Sequence, residues 1–434
     1  MATEFADVYY QRQHVCEIYW DAARQSCALA YTSDYLKSGC ELSPIHLKRR
    51  RAPYQLSNLD ASFMGLPGML ADCLPDTYGN ALIDTWLRTQ NRDPASFTPV
   101  ERLCYMGARS MGALEFRPSM RTTSKEAQKI EVERLIELAS QALQAKQQLD
   151  SQLEDQTDLE DIIQVGTSAG GARAKAVIAW NPDTNEVRSG QSDAPKGFEH
   201  WLLKLDGVDA SFEGIKDPKG YGRIEYAYSL MAHDAGIHMT PCRLLEEGTR
   251  AHFMTQRFDR MGATGKLHYA SLFGINHMAY TAPGSHHHTY EDYFKVIDQL
   301  NIQIDSKREA FARMCFNVLA FNKDDHVKNF GFLMNNQGDW DISPAFDLSY
   351  AHNSAFGAWT RSQQMSVNGK REDITTDDLI ACGRNCNVGT VPKLKSILNQ
   401  VKEAVTNWPT HAEAASVASQ KIDAIQSVLK REHC

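Results

Sequence analysis

The sequence lacks several features that mark particular protein classes. None of its 434 residues fall in an apolar run near the roughly twenty residues that a bilayer-spanning helix needs. The segment from Met1 to Val15 carries Glu4 and Asp7 and no long apolar core, so it does not read as a secretory signal. These absences predict a cytoplasmic protein with no membrane partner. Positive charge is in deficit. The formal net charge of −8 argues against a protein that coats nucleic acid through its own average field. The one dense basic run, Lys48-Arg49-Arg50-Arg51, is short and isolated, and reads as a solvated loop before it reads as a phosphate contact. The ten cysteines are scattered along too long a chain to form a disulfide scaffold, and read as reduced thiols. Cys382 and Cys386 are close enough to share a metal, but no second Cys or His pair stands beside them in sequence. His286-His287-His288 follows Gly284-Ser285 and reads as a flexible loop. No internal repeat or low-complexity tract stands out.

What is present has the composition of a globular chain, with 42% hydrophobic residues, enough for a substantial core over two to three domains. Strand character appears at Asp7 to Tyr10, Glu17 to Trp20 and Cys27 to Tyr31, and a helix is expected near Asn80 to Thr89. Leu135, Leu138, Ala142 and Leu149 recur at helical spacing in a polar stretch that starts at Ser124, which predicts a connector helix. Strands follow at Ala174 to Trp180, Trp201 to Leu205, Pro241 to Glu246, His252 to Arg257 and Lys266 to Leu272. Between the second and third, a helix runs from Arg223 to Ala235 with Gly236 as its C-terminal cap. Phe311, Met314, Cys315, Val318, Leu319 and Phe321 mark one face of a buried helix from Lys307 to Asn322. The pattern predicts an α+β, bilobal, kinase-like fold. An N-terminal mixed lobe with an antiparallel sheet leads to a mainly helical C-terminal lobe. The expected divisions are 1–120, a helical connector at 121–160, a sheet lobe with a phosphate loop at 161–258, and a helical lobe at 259–434.

Phosphoryl transfer needs a phosphate cradle, a cation on the phosphates, oxygen ligands for a metal, and a carboxylate beside the acceptor hydroxyl. In protein kinases an Asp, and an Asn five residues later, perform the last two tasks. Asp324 and Asn329 have that spacing, in a polar loop after the buried helix. Phe346-Asp347-Leu348 follows, with Asp347 placed like a metal-binding carboxylate. Mg²⁺ favours such hard oxygen donors. His326 and Lys328 add donors in the same loop. Asx residues often only cap turns, and D-x-x-x-x-N alone is a weak signal. The order along the chain strengthens it. Upstream, Gly166 to Lys175 is rich in small residues that let backbone N–H groups approach phosphates, and lacks the Gly-Lys-Ser/Thr ending of a P-loop NTPase. Lys204 sits in an apolar strand, where it must snorkel out or meet an anion. Gln256-Arg257-Phe258 falls where a strand leaves the first lobe, so its backbone is placed to hydrogen-bond a purine.

This ordered set resembles the HipA family of serine/threonine kinase toxins from type II toxin–antitoxin systems. Gly65-Leu66-Pro67-Gly68, Leu74-Pro75-Asp76 and Met111-Gly112-Ala113-Leu114 are similar to its N-terminal domain. Ser168 to Lys175, Arg257-Phe258-Asp259-Arg260, Asp324 to Phe330 and Ser343 to Asp347 are similar to its kinase core. The resemblance implies Asp324 as catalytic base and Asn329 and Asp347 on Mg²⁺. It implies ATP surrounded by Gly170, Gly171, Ala172, Arg173, Ala174, Lys175, Lys204, Gln256, Arg257, Phe258, His326, Lys328, Asn329, Phe346 and Asp347. It further implies self-phosphorylation at Ser168, a small helix-turn-helix antitoxin dimer as partner, operator DNA reached mainly through it, and a translation-related protein substrate such as glutamyl-tRNA synthetase. Two other readings stay open: a weakly active co-repressor working with a DNA-binding partner, and a small-molecule phosphotransferase, against which the long N-terminal block counts.

Overall fold

The computed structural model describes residues 3–120, 129, 131–133, 135–136, 174–191, 193–208, 219–262, 264–280, 288–355 and 359–431. The chain forms two compact units. Met1–Tyr221, Leu245–Tyr269 and Asn335–Gly338 make the first, and Gly222–Leu244, Ala270–Met334 and Asp339–Cys434 the second. The expected division at residues 120, 160 and 258 therefore does not coincide with the units.

The first unit opens with an antiparallel sheet of β1 (Phe5–Tyr10), β2 (Gln13–Asp21), β3 (Ser26–Tyr31), β4 (Tyr54–Gln55) and β5 (Leu114–Arg117), in the order β4-β3-β2-β1-β5. Alternation sets its faces: Ala6, Val8 and Tyr10 point to the core, while Phe5 on the same strand is exposed. The basic run lies in the loop before β4, as expected. There Arg49 pairs with Glu41 at 3.0 Å and Arg50 lies 3.5 Å over the Tyr54 ring. Two helices follow. α1 (Thr77–Thr89) is capped by Asp76, whose carboxylate accepts from the Gly79 N–H at 2.6 Å. α2 (Pro99–Met106) starts with Pro99 and a reciprocal Thr98/Glu101 capping box.

A second antiparallel sheet runs β7-β6-β8-β10-β9 through β6 (Lys175–Trp180), β7 (Val187–Ser189), β8 (Glu199–Lys204), β9 (Cys242–Glu247) and β10 (Arg250–Gln256). Every residue of β6 is buried, which explains its unbroken apolar run. One apolar cluster joins the helices of the N-terminal block to the second sheet. Leu82, Ile83 and Leu87 of α1 and Tyr105 of α2 pack with Ala176 and Ile178 of β6, Trp201 and Leu203 of β8, and Met254 of β10. The N-terminal block and the second sheet thus share one apolar interior.

In the second unit, α3 (Tyr221–Asp234) ends at Gly236 with φ +76°, as the sequence predicts. α4 (Tyr290–Gln299) and α5 (Ile304–Leu319) follow, then a hairpin of β11 (Gly331–Met334) and β12 (Trp340–Ile342), then α6 (Thr376–Asn385) and α7 (Val391–Thr406). α5 stops short of the expected Asn322 because Phe321 takes a left-handed φ of +54°, which a right-handed helix cannot continue through. The expected strand Lys266 to Leu272 is also shorter. It pairs from His268 to Ser271, and Leu272 starts a short helix because the Ser271 side chain caps it by accepting from the Gly274 N–H. Most of the expected connector helix, the whole of Gly166 to Arg173, and His286 and His287 lie outside the described residues.

Candidate active site

The loop from Phe321 to Asn329 is held by backbone before its side chains are considered. Lys323 N–H donates to Ala351 O at 3.0 Å, and Ala351 N–H returns a bond to Phe321 O at 3.0 Å. Asn322 is buried, with its amide donating to Asn317 Oδ1 at 2.9 Å. The next two residues diverge. Asp325 is 1% exposed and receives the Tyr290 hydroxyl at 2.7 Å, Gln363 Nε2 at 3.2 Å and the Gln364 N–H at 2.6 Å. Burial pushes its carboxyl up to about 7 against the pull of the Tyr290 and Gln364 donors. Asp324 instead keeps 39% of its side chain in solvent, and its Oδ1 accepts from Trp359 Nε1 at 2.7 Å.

Four predicted residues gather around Asp324 and its loop. Asn329 donates its amide N–H to the Asp324 carbonyl at 2.9 Å, which turns the side-chain oxygen of Asn329 away from that bond. His326 Nε2 lies 3.8 Å from Asp324 Oδ1, and its Nδ1 accepts from Lys328 N–H at 3.3 Å. Burial lowers the His326 pKa, opposed by the nearby carboxylates of Asp324 and Asp347, so Asp347 belongs to the same cluster. Lys328 Nζ sits over the rings of Phe273 and Tyr280, at 4.4 and 4.9 Å. Asp347, after the half-buried Phe346, has φ +56°. A non-glycine residue held there stores strain of about 1 kcal/mol or more, a cost often found at functional positions. Asp324, Asn329 and Asp347 supply the hard oxygen donors that suit Mg²⁺ beside phosphates.

The remaining predicted residues lie on the second sheet of the first unit. Ala174 is buried, and its carbonyl accepts from Leu205 N–H at 3.0 Å. Lys175 opens β6 and pairs in register with Lys204 of β8. The two lysines are handled differently. Lys175 is buried and ion-paired with Asp76 at 3.2 Å, both side chains under 5% exposed. Lys204 is half-buried, with Nζ 5.8 Å from the Phe253 ring. Gln256 ends β10 and Phe258 rests near Tyr269, ring centroids 5.9 Å apart. Arg257 N–H donates to His200 O at 2.9 Å, so its backbone donor is spent on the sheet. Its guanidinium grips Asp259 through two bonds of 2.9 and 2.7 Å. Asp259 also receives Arg260 at 2.6 Å and the Gly112 N–H at 2.8 Å. Burial would raise this carboxyl, but Arg257 and Arg260 hold it far below the usual carboxylate range. Gly170, Gly171, Ala172, Arg173 and Ser168 lie outside the described residues.

Sequence reasoning missed Trp359, Asp325 and the pairing of Lys175 with Asp76. The seven Trp residues read as packing, and nothing local separates Trp359 from the others. Asp76 entered the sequence reading through the Leu74-Pro75-Asp76 resemblance, and nothing local marks its pairing with Lys175.

Residues 6–117 match the HipA N-terminal domain, and residues 167–408 match the HipA-like C-terminal domain. No curated protein sequence matches the chain. Among solved structures, HipA from the Shewanella oneidensis MR-1 toxin–antitoxin system, in complex with HipB and its operator DNA, is similar over 98% of this chain and 95% of that one, at a TM-score of 0.66 and 15% identity. At that identity the likeness speaks for the fold. The Helicobacter pylori proinflammatory kinase CtkA aligns over 54% of this chain and 92% of its own at a TM-score of 0.31 and 15% identity, too low to establish a shared fold. No helix among the described residues is long and apolar enough to cross a membrane. Since the C-terminal match alone spans more than half of the sequence and the N-terminal match covers most of the rest, the chain belongs to the HipA family.

Proposed function

We propose that this chain is an ATP- and Mg²⁺-dependent serine/threonine protein kinase. It acts as the toxin of a toxin–antitoxin pair and phosphorylates itself at Ser168. The observation that carries the reading is the cluster of Asp324, Asn329 and Asp347 around His326. A half-exposed carboxylate, an oriented amide and a strained second carboxylate are what phosphoryl transfer needs, and simple binding does not call for all three. Asp324 accepts the proton of the attacking hydroxyl. That oxygen forms the new bond to the γ-phosphorus, the bond to the ADP oxygen breaks, and ADP departs. Asn329 and Asp347 would hold Mg²⁺, which neutralises charge on the phosphates when bound. Lys204 contributes a cation to the phosphates, and Gln256 to Phe258 contributes backbone to the purine, with Arg257 limited to its carbonyl; the charge of Lys175 is already spent on Asp76.

A phosphate on Ser168 would carry close to two negative charges into a glycine-flanked loop, displacing it from its unphosphorylated contacts and silencing the kinase. The partner is a small helix-turn-helix antitoxin dimer, and operator DNA is reached through it. The target is a translation-related protein such as an aminoacyl-tRNA synthetase. The solved HipA complex with HipB and operator DNA also favours a second reading, in which the chain is a weakly active co-repressor.

Phosphatase-treated protein with Mg²⁺ and labelled ATP should label itself at Ser168, located by mass spectrometry. Asp324→Asn should lower that rate by roughly 10²- to 10⁴-fold, the usual contribution of a general base, with the fold intact. If the dephosphorylated protein labels neither itself nor any lysate protein, the co-repressor reading replaces the kinase.

A further inference from the structure

The kinase reading leaves one polar contact to its key carboxylate unexplained. The indole of Trp359 donates to Asp324 Oδ1 at 2.7 Å, a short distance for a nitrogen donor and typical of a charge-assisted bond. An indole N–H can only donate, so the bond requires an acceptor oxygen and is strongest with the ionised carboxylate. The ring is held from the side by Tyr280 at 5.7 Å and His326 at 6.3 Å between centroids.

The backbone around Trp359 is fastened to the same loop residue by residue. Gln364 Nε2 donates both to the Trp359 carbonyl at 2.6 Å and to the Lys323 carbonyl at 3.2 Å. Lys323 Nζ returns a bond to Arg361 O at 3.0 Å. Gln364 N–H and Gln363 Nε2 both reach the carboxylate of Asp325. Residues 359–364 thus contact each of Lys323, Asp324 and Asp325, and Trp359 reaches the carboxylate of Asp324.

We propose that Trp359 is a positioning residue for Asp324, fixing the plane of its carboxylate for the incoming hydroxyl. The proposal rests on the kinase reading of Asp324. With Oδ1 engaged, rotation about the Cβ–Cγ bond stops, and the carboxylate is pre-organised before the substrate arrives.

Trp359→Phe keeps a ring against Tyr280 and His326 and removes only the donor. In self-labelling it should lower kcat about ten- to a hundredfold and leave the KM for ATP within about twofold. Unchanged kcat, with Asp324→Asn inactive, would overturn the proposal and leave the kinase reading standing. An Asp324→Asn protein that keeps its activity removes both. A raised KM and lowered melting temperature with an unmoved kcat would mean packing alone, and also overturns it. A readout independent of turnover is the ¹⁵N-indole resonance of Trp359, identified by its loss in Trp359→Phe. It should shift clearly in Asp324→Asn, and indifference to that change would overturn the proposal.

Discussion

A single peptide bond separates a carboxylate half in solvent from one buried among donors. The pH dependence of the fold follows from the second. Asp325 titrates near 7 in the folded protein, against about 3.9 for an unfolded Asp. The native state therefore holds this proton more tightly than the unfolded chain does. Between those two values stability falls as pH rises, by up to about 4 kcal/mol if the whole shift is expressed. Urea unfolding at pH 5 and pH 7.5 should show a lower midpoint at the higher pH. Asp325→Asn should flatten that difference. It should also lower the plateau, because an amide N–H would face the Tyr290 and Gln363 donors. A midpoint equal at the two pH values in the parent would exclude the shift. Both Asp residues are plain in the sequence, but which one is buried is not. The partners of Asp325 stand 35, 38 and 39 positions away, and only tertiary structure brings Tyr290, Gln363 and Gln364 to one oxygen pair.

At the scale of elements, α5 was legible because its apolar face recurs at helical spacing, and its end was not. The left-handed Phe321 that stops it accepts a bond at its carbonyl from the N–H of Ala351, far along the chain. Cys382 of α6 and its C-cap Cys386 are the pair that read as reduced thiols for want of a second Cys or His pair. Cys382 is fully buried, and Cys386 N–H donates to Cys382 O at 3.0 Å, so the spacing is one turn of helix. Between them Gly383 performs a packing task. A Cβ there would lie 2.6 Å from Phe311 Cε2 and 2.9 Å from Leu394 Cδ2, both fully buried residues. Helix propensity favours Gly383→Ala by about 1 kcal/mol, whereas forcing a methyl into a packed interior costs about 1–3 kcal/mol. Neither neighbour has room to retreat, so packing should win. The melting temperature should drop by about 2–4 °C, as a net loss of about 1 kcal/mol in a unit of this size implies. A rise would show that α6 can move off α5 and α7.

At the scale of the whole molecule, the α+β class was legible, while the boundary expected near residue 120 does not divide the two compact units. Patterning reports which side chains face inward, not which interior they face. The N-terminal block and the second sheet share one core, and two ion-paired clusters cross between them inside the first unit. Asp76 meets Lys175, and Gly112 meets Asp259 between Arg257 and Arg260. Removing one member of a buried pair costs about 3–5 kcal/mol because the other charge stays buried. Lys175→Met should therefore destabilise by about that amount. Asp76→Asn in the same chain should restore part of it, since the amide oxygen can still cap α1. Removing the whole N-terminal block is more severe. Residues 121–434 alone would expose the apolar faces of Ile178 and Leu203 and leave Lys175 and Arg260 without their partners across the block. That fragment should be insoluble, or lack a cooperative melting transition by circular dichroism. A soluble fragment with one sharp transition would show that the second sheet completes its core without the block.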